Sequence, residues 1–413
     1  MSRRSFALAA LSAPLAACAR PAPDGRVGAS LWFAYGGKNR EVLLALVERF
    51  HRAQARYHIA PVYQGDYFEC LAKVRTALAA GVAPALTHVV GEVVPYLADA
   101  GVLEPLDERP GARELDLVVS LSQAGSFSGG PDTLYAVPFN RSTPLLYVDA
   151  AALAEAGVEI PTTWDEVRVA ARRLTRRGSS PRYGFEVPVD WWFWAGMAAQ
   201  GGGQLVRDDG ALELGGEPGV RAVELLQALV HDDRTMRPPP GRDYNAWQAT
   251  NQDFLGGRAA MVLTSTAFLR YLEESASFRV QAARMPRFER AAVPTGGTFF
   301  TILRGAPEPE KEAAWAFLRF MCAPEQAATW AERTGYLPVT HGATSLLERR
   351  GFFAAHPNDV VAREQLADVV PWPWSRELFR VQREIVAPVL EEAVLSRKDA
   401  RQVFARARAE AAR

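Results

Sequence analysis

One stretch, from Ala136 to Tyr147, constrains the fold of this chain more than any other. A polar segment, Asn-Arg-Ser-Thr at 140–143, lies between Pro138 and Pro144, with apolar residues on both outer sides. Because proline cannot donate a hydrogen bond to a strand ladder, one continuous central strand cannot run through this stretch. The pattern favours an extended connector that leaves one packed body and enters another, with its polar side chains facing the gap. An edge strand with a kink is the alternative interpretation.

The size of the chain is compatible with two such bodies. With 413 residues, of which 48% are apolar, it can bury two hydrophobic cores. Lysine plus arginine equals aspartate plus glutamate at 47 each, so no global charge attracts nucleic acid or a membrane surface. The six histidines include no ligand-like doublet, and we expect neither a metal site nor a cofactor.

The N-terminus has the features of an export signal. The pair Arg3-Arg4 precedes an acid-free apolar run at 7–17, which is too short to span a bilayer as a mature helix. The arginine pair resembles a twin-arginine signal. Leu-Ala-Ala-Cys at 15–18 resembles a lipobox, which predicts a signal peptide over 1–17, lipidation of Cys18 and a tether over 18–26. An ordinary secretory signal with an incidental cysteine is the alternative.

Beyond this signal, apolar periodicity predicts alternating strands and helices. Ala29 to Tyr35 alternates as a strand, and the next segment has helical spacing of its apolar positions, Val42, Leu43, Leu46, Val47 and Phe50. Thr163 and Glu166 form a capping box that starts a helix near Trp164. Strand–helix–strand alternation implies a mostly parallel sheet with helices on both faces, so the predicted fold class is α/β.

Four phrases in a fixed order resemble one known family. They are Pro-Phe-Asn-x-Ser-Thr-Pro at 138–144, Gly-Gly-Arg-Ala-Ala-Met at 256–261, the pair Gly296-Gly297, and Thr-Gly-Tyr-Leu-Pro at 334–338. With the lipoprotein signal, they resemble the extracytoplasmic solute-binding proteins (family 1) of ABC importers. Within that family the chain is most similar to the branch that binds sn-glycerol 3-phosphate and its diesters. The resemblance extends over nearly the whole mature chain.

The resemblance implies a two-lobed periplasmic-binding-protein fold, in which each lobe is a mostly parallel sheet flanked by helices. Lobe 1 would comprise residues 27–141 and 265–337, and lobe 2 would comprise residues 142–264 and 338–413. Three crossings between the lobes are expected where polar or proline-bearing segments interrupt apolar runs, near 140–144, 263–266 and 336–339.

The resemblance also implies which residues would hold a solute. The positions that match the phosphoglycerol site of the branch are Tyr67, Ser142, Ser265, Gly297, Tyr336 and Arg383, with Trp191 or Trp192 stacking on the glycerol carbons. Arg383 would supply a planar fork for two phosphate oxygens. A surface helix arginine paired with Glu384, or with an acid in the neighbourhood of Glu391, is the alternative for Arg383. The other structural alternatives are serines that cap their own backbone, a turn glycine and tryptophans that pack in the core.

One position departs from the branch. A glutamate near the end of the third strand takes the glycerol hydroxyls there, and Val-Gly-Glu-Val at 90–93 needs a one-residue gap to place Glu92 at that point. A shift of one residue turns a strand side chain to the opposite face. Glu92 is therefore a predicted ligand residue, and the hydroxyl-bearing end of the solute is left open.

Two functions fit this fold. In the first, an exported protein, periplasmic or lipid-anchored at the outer face of the cytoplasmic membrane, captures sn-glycerol 3-phosphate or a glycerophosphodiester. Two closing lobes would hold this solute and deliver it to the permease subunits. In the second, the same fold binds a neutral sugar or oligosaccharide, which the ten tryptophans suit. An enzyme is disfavoured because the sequence has no Gly-x-Ser-x-Gly elbow, no His-Glu-x-x-His and no P-loop. We expect a monomer with no nucleic-acid partner.

Overall fold

The structure is a computed structural model that describes residues 25–126, 131–207 and 212–411. The predicted signal peptide and Cys18 lie outside the described residues. The strands are β1 Val27–Phe33, β2 Tyr57–Tyr63, β3 Leu86–Val90, β4 Val137–Ser142, β5 Pro144–Asp149, β6 Met261–Ser265, β7 Val280–Arg284 and β8 Gly296–Ile302.

The first half of the chain contributes the helices α1 Gly37–Ala53, α2 Tyr67–Ala79, α3 Val94–Asp99, α4 Val119–Ser122, α5 Ala150–Ala156, α6 Trp164–Leu174 and α7 Trp191–Gln200. The second half contributes α8 Gly216–Gln227, α9 Asp243–Leu255, α10 Leu269–Ser275, α11 Glu308–Cys322, α12 Pro324–Thr334, α13 His341–Arg349, α14 Phe352–Ala355, α15 Pro357–Glu364, α16 Leu378–Arg380, α17 Ala387–Leu395 and α18 Ala400–Ala411. Short 3-10 turns cover Gly91–Val93, Thr266–Phe268 and Gln365–Asp368, and π-helical turns cover Ala228–Asp232 and Val381–Val386. Among the described residues, no helix is long and apolar enough to span a bilayer.

The first sheet has the strand order β2-β1-β3-β8-β4. β1 pairs in parallel with β2 and β3, whereas β8 is antiparallel to both β3 and β4. One face packs against α1 and α11, and the other face packs against α2 and α3. The apolar positions that predicted α1 are all buried in this core, so that prediction is confirmed.

The second sheet has the order β6-β5-β7, and both pairs are antiparallel. β6 and β7 run in the same direction and are connected through α10, as a parallel crossover requires. β5 arrives from the first sheet and lies antiparallel between them, which the strand–helix alternation of the sequence does not predict. Helices cover both faces, with α6, α7 and α8 on one and α9, α12 and α13 on the other.

The stretch that opened the sequence analysis connects the two sheets. β4 is the edge strand of the first sheet, with a register shift between Pro138 and Arg141. After Thr143, the chain continues as β5 in the centre of the second sheet. The structure thus combines the connector with the kinked edge strand. The polar side chains at 140–143 are at most 4% exposed.

The chain returns to the first sheet between β7 and β8, over residues 285–295. A return near 263–266 was expected, but β6 leads through Thr266–Phe268 and α10 into β7, which pairs with β5. β7 therefore belongs to the second sheet, although it lies in the segment 265–337 assigned to lobe 1. Near the third expected crossing, Leu337 forms an isolated antiparallel bridge with Arg141.

Candidate functional site

Two predicted tyrosines meet at the core of the first sheet. Tyr67 is the first residue of α2, whose start is fixed by a capping box from Asp66. Its phenol oxygen lies 3.4 Å from that of Tyr336 and accepts a hydrogen bond from the Asn140 side-chain amide at 2.9 Å. Burial raises the pKa of both phenols well above the ordinary value. The pair is therefore neutral, and Tyr67 keeps its own proton for donation.

A buried network fixes the orientation of Asn140. Its side-chain oxygen accepts hydrogen bonds from the Thr298 backbone N–H, at 2.6 Å, and from the Thr298 hydroxyl. The Thr298 hydroxyl also lies 2.9 Å from the Tyr35 hydroxyl and 2.9 Å from His88 Nδ1. Burial lowers the pKa of His88 to about 3, so this imidazole is neutral. The network carries no formal charge and turns the Asn140 amide group toward Tyr67.

Gly297 stands where only glycine fits. Its φ of +90° lies in the left-handed region, and an added Cβ would lie 1.7 Å from the Asn140 carbonyl oxygen. The closest backbone neighbour of the predicted ligand residue Gly297 is thus strand β4. This contact fixes the spacing of β8 from the network around Asn140.

Arg141 is a buried cation between the two connecting segments. Its guanidinium donates to the Leu121 carbonyl at 3.2 Å, the Gly297 carbonyl at 2.9 Å and the Thr295 hydroxyl at 2.8 Å. It also lies 4.4 Å from the centre of the Phe299 ring. Burial lowers its pKa to about 10. Because Arg141 lies on the first connection and Thr295 on the second, this side chain ties both together.

Glu92 lies in the turn after β3, on the side of the second sheet. It is 5% exposed, and burial raises its pKa to about 7, while Arg141 lowers this pKa and Asp190 raises it. Asp190 precedes α7 and accepts hydrogen bonds from the Trp192 backbone N–H at 2.8 Å and the Trp247 indole at 3.2 Å. Burial raises the pKa of Asp190 to about 6. Two buried carboxyl groups with raised pKa values, Glu92 after β3 and Asp190 before α7, thus lie close enough for the charge of Asp190 to act on Glu92.

Arg383 extends from the second sheet's layer to the first. It lies in the π-helical turn Val381–Val386 and forms an ion pair with Asp243, the first residue of α9. Its guanidinium carbon lies 3.8 Å from the centre of the Phe68 ring, which belongs to α2. The side chain is 26% exposed. The arginine is therefore paired with an acid, but this acid is Asp243 of α9 and not Glu384 or a residue near Glu391, and the arginine lies between the two layers.

The two predicted tryptophans have different environments. Trp191 is half-buried, with its ring centre 5.7 Å from that of Trp372. Trp192 is buried, stacks on Trp247 at 5.0 Å and donates its indole N–H to the Thr295 carbonyl at 3.1 Å. Trp192 is thus a core residue whose face is already covered, whereas Trp191 keeps part of its ring accessible.

The two predicted serines also differ. The Ser265 hydroxyl accepts a hydrogen bond from the Ala267 backbone N–H at 3.1 Å, so it caps the following turn. Ser142 ends β4 opposite Gly296, and the described part of the chain offers its hydroxyl no hydrogen-bond partner. The Ser142 hydroxyl is therefore available to a solute.

With this geometry in place, comparison with known proteins identifies the family. A family model described as "bacterial extracellular solute-binding protein" matches residues 45–357, which is more than half of the chain. The chain belongs to this family. Its members are binding proteins of ABC importers and not enzymes, which confirms the expectation from the missing catalytic motifs.

Relatives and solved structures extend this solute-binding family assignment. The sn-glycerol-3-phosphate-binding periplasmic protein UgpB of Yersinia pestis is 26% identical over 381 residues, which cover 87% of this chain and 85% of the relative. UgpB from Mycobacterium tuberculosis, solved in complex with glycerophosphocholine, has a TM-score of 0.83 at 26% identity, covering 93% of this chain and 97% of that chain. The GacH receptor of Streptomyces glaucescens, solved unliganded and with acarbose, has a TM-score of 0.81 at 21% identity over 93% of this chain and 97% of that chain. Together they confirm the two-lobed α/β fold.

Several residues around this candidate site were not named as ligand residues in the sequence analysis. Arg141 and Asn140 lie in the polar run between two prolines, but the resemblance directed attention to Ser142. Asp190 has a local signal, since an acid directly before an aromatic helix is a typical N-cap. Asp243 has no such signal, because its role follows from contact with Arg383, which is distant in the sequence.

Proposed function

We propose that this protein captures a phosphorylated polyol, sn-glycerol 3-phosphate or a glycerophosphodiester, between its two lobes. As an extracellular solute-binding protein, it delivers a small molecule to the permease of an ABC importer. A solute that contacts both lobes at once stabilises the closed arrangement and shifts the population toward it. We further propose that the protein is exported with a lipid anchor on Cys18 and acts as a monomer.

The position of Arg383 is the observation that carries the proposal. A guanidinium has five N–H donors in a fixed fork, and the ion pair with Asp243 uses one nitrogen. A phosphate that takes the place of Asp243 can engage the whole fork, and the hydroxyls of Tyr67 and Tyr336 are neutral donors for the same solute. The relatives named for sn-glycerol 3-phosphate binding support the same solute class.

A neutral sugar is the second candidate, and specific contacts favour it. The carboxyl groups of Glu92 and Asp190 can accept hydrogen bonds from sugar hydroxyls, and Trp191 with Trp372 offers aromatic faces. Asp243 already neutralises Arg383 in this arrangement. Under this hypothesis, Arg383 is a structural residue that joins the lobes.

Calorimetric titration with sn-glycerol 3-phosphate, glycerophosphocholine and maltose separates the two candidates. Arg383→Ala is expected to weaken binding of both phosphate esters by roughly 2–5 kcal/mol, which is the usual cost of truncating one partner of a buried charge pair. Arg383→Lys recovers only part of this loss because the planar fork is missing. Arg380→Ala is the matched control, since Arg380 is 44% exposed and pairs with Glu377 at 2.7 Å. Unchanged binding of the esters by Arg383→Ala would overturn the proposal.

Asp243→Asn provides an independent arm of the same experiment. Under the phosphate hypothesis, Asp243 competes with the solute for Arg383, so removing its charge is expected to tighten phosphate-ester binding. Under the sugar hypothesis, no anion has to displace Asp243, and the variant does not tighten maltose binding. Weaker ester binding by Asp243→Asn would contradict the competition.

A further inference from the structure

A concavity of about 450 Å³ lies on the surface of lobe 2, outside the cleft between the lobes. Its wall is rich in arginine and other groups that bind anions, namely Arg177, Tyr183, His231, Arg234, Arg237 and Arg397. None of these residues belongs to the candidate solute site.

The strand register places this concavity far from the lobe crossings. Ser265, at one end of β6, lies opposite Pro144 beside the first crossing. Tyr183 is bridged to Ala259, which precedes the other end of β6. At about 3.4 Å per strand residue, the six steps from 259 to 265 span about 20 Å. A ligand here would not contact the cleft residues.

Two of the arginines in the concavity have an acidic partner, and one of these partners is shared. Arg237 pairs with Asp253 at 2.5 Å, but Asp253 also pairs with Arg258 at 2.6 Å. One carboxylate therefore serves two guanidinium groups. Arg397 forms its own ion pair with Asp232.

The other two arginines have no ion pair at all within the described residues. Arg177 and Arg234 are both exposed, and no acid lies within salt-bridge distance of either. Arg177 belongs to the segment 172–182, which contains five arginines and no acid. Arg172 and Arg176 of this segment pair with Asp233 and Glu155, so Arg177 and Arg234 are the cations of the concavity without an acidic partner among the described residues.

Backbone conformation places two of these arginines at helix ends. Arg234 has a φ of 55° and Arg397 a φ of 50°, both in the left-handed region. Each follows a helix C-cap, Asp233 and Ser396 respectively, where a left-handed residue is the common helix ending. The two helix ends therefore fix where these arginines leave the backbone beside the concavity.

We propose that this concavity binds a phosphate group, either of an anionic phospholipid headgroup or of a free phosphate ester. Guanidinium groups bind phosphate oxygens through paired N–H donors, and several converging arginines without full carboxylate compensation match the charge of a phosphate. The Tyr183 ring, with the Arg237 guanidinium 5.7 Å from its centre, limits the concavity on one side. The inference does not depend on which solute occupies the cleft.

Cosedimentation with vesicles tests the lipid source. The probes are vesicles of phosphatidylcholine alone and vesicles with equal amounts of phosphatidylcholine and phosphatidylglycerol. The full chain carries Cys18→Ser, so that no lipid anchor contributes to binding. Binding to the vesicles of phosphatidylcholine alone measures any contribution of the N-terminal segment. Titration with inorganic phosphate tests whether the concavity binds a free phosphate. The titration uses the Arg383→Ala variant, in which the cleft site is weakened. Either binding is expected to weaken as salt is added.

Variants connect the binding to this concavity. Arg177→Gln with Arg234→Gly is expected to weaken vesicle or phosphate binding about tenfold or more, because two unpaired cations are lost. Arg234→Gly also relieves the left-handed backbone, so the unfolding midpoint is expected to stay or rise, which excludes misfolding as the cause. Arg173→Gln is the control, since Arg173 is exposed in the same basic segment but does not line the concavity.

Each outcome decides the proposal. If the protein binds phosphatidylglycerol vesicles and the double variant weakens this binding, the site is assigned to lipid. If the protein binds inorganic phosphate and the double variant weakens that binding, the site is assigned to a free phosphate ester. The proposal is overturned if the protein binds neither vesicles nor phosphate. It is also overturned if Arg173→Gln weakens binding as much as the double variant does, or if the double variant binds as well as the unchanged protein. A loss of sn-glycerol 3-phosphate binding in Arg383→Ala alone concerns only the cleft.

Discussion

Glu92 is expected to make the stability of this protein depend on pH. Burial is the main cause that raises its pKa from 4.5 to about 7, and the Arg141 cation limits the rise. Because the folded pKa exceeds the unfolded one, folding favours the protonated acid. Its stabilisation is complete below about pH 4.5 and is lost as the pH rises through 7. At about 1.4 kcal/mol per pH unit, the difference between 4.5 and about 7 amounts to about 3.5 kcal/mol.

Glu92→Gln removes this titration and keeps the side-chain shape. Urea unfolding is expected to give similar free energies for both proteins at about pH 4, and an advantage of up to about 3.5 kcal/mol for Glu92→Gln at about pH 8.5. Glu384→Gln is the control, because Glu384 is exposed and its loss is expected to change stability by less than about 0.5 kcal/mol. If the two proteins differ equally at both pH values, Glu92 does not titrate as described and the reasoning fails.

Three further predictions concern the network and the anchor. Gly297→Ala is expected to lower the free energy of unfolding by at least about 2 kcal/mol in a thermal melt, since the new Cβ would lie 1.7 Å from the Asn140 carbonyl oxygen. Gly36→Ala is the control, because its new Cβ meets nothing within 4 Å and the melting temperature should hardly change. Asn140→Ala leaves the Thr298 N–H without its acceptor, so a loss of about 1–3 kcal/mol in urea unfolding is expected, and an unchanged midpoint would contradict the network. Cys18→Ser is expected to move the exported protein to the aqueous phase in detergent partitioning, and equal partitioning would end the lipid-anchor prediction.

The sequence predicts those parts of the fold that depend on local periodicity. The apolar positions from Val42 to Phe50 define the buried face of α1, and the capping box at Thr163 and Glu166 starts α6 in the structure. The order of the sheets is different, because pairing depends on partners far apart in the chain. Nothing local tells β5 to enter antiparallel between β6 and β7, so the pairing of the second sheet and the place of return at 285–295 were not predictable.

The candidate site divides in the same way. The resemblance named Tyr67 and Tyr336 as ligand residues, and the structure brings their hydroxyls to 3.4 Å. For Ser265 the structure shows the alternative that the sequence left open, a serine that caps its own backbone, and the choice depends on the geometry of the turn. The resemblance could not show the burial of Arg141, whose partners come from three separate segments.

The pair formed by Arg383 and Asp243 changes what a measured affinity would mean. The two residues are 140 positions apart, so the sequence offers no reason to consider them together. An arginine with a resident carboxylate binds a phosphate by exchange, and the gain is the difference between two charge-assisted interactions. Arg383→Ala therefore removes both the phosphate contact and the partner of Asp243, leaving a carboxylate that repels the anion. Only the comparison of Arg383→Ala with Arg383→Ala/Asp243→Asn separates the loss of attraction from this added repulsion.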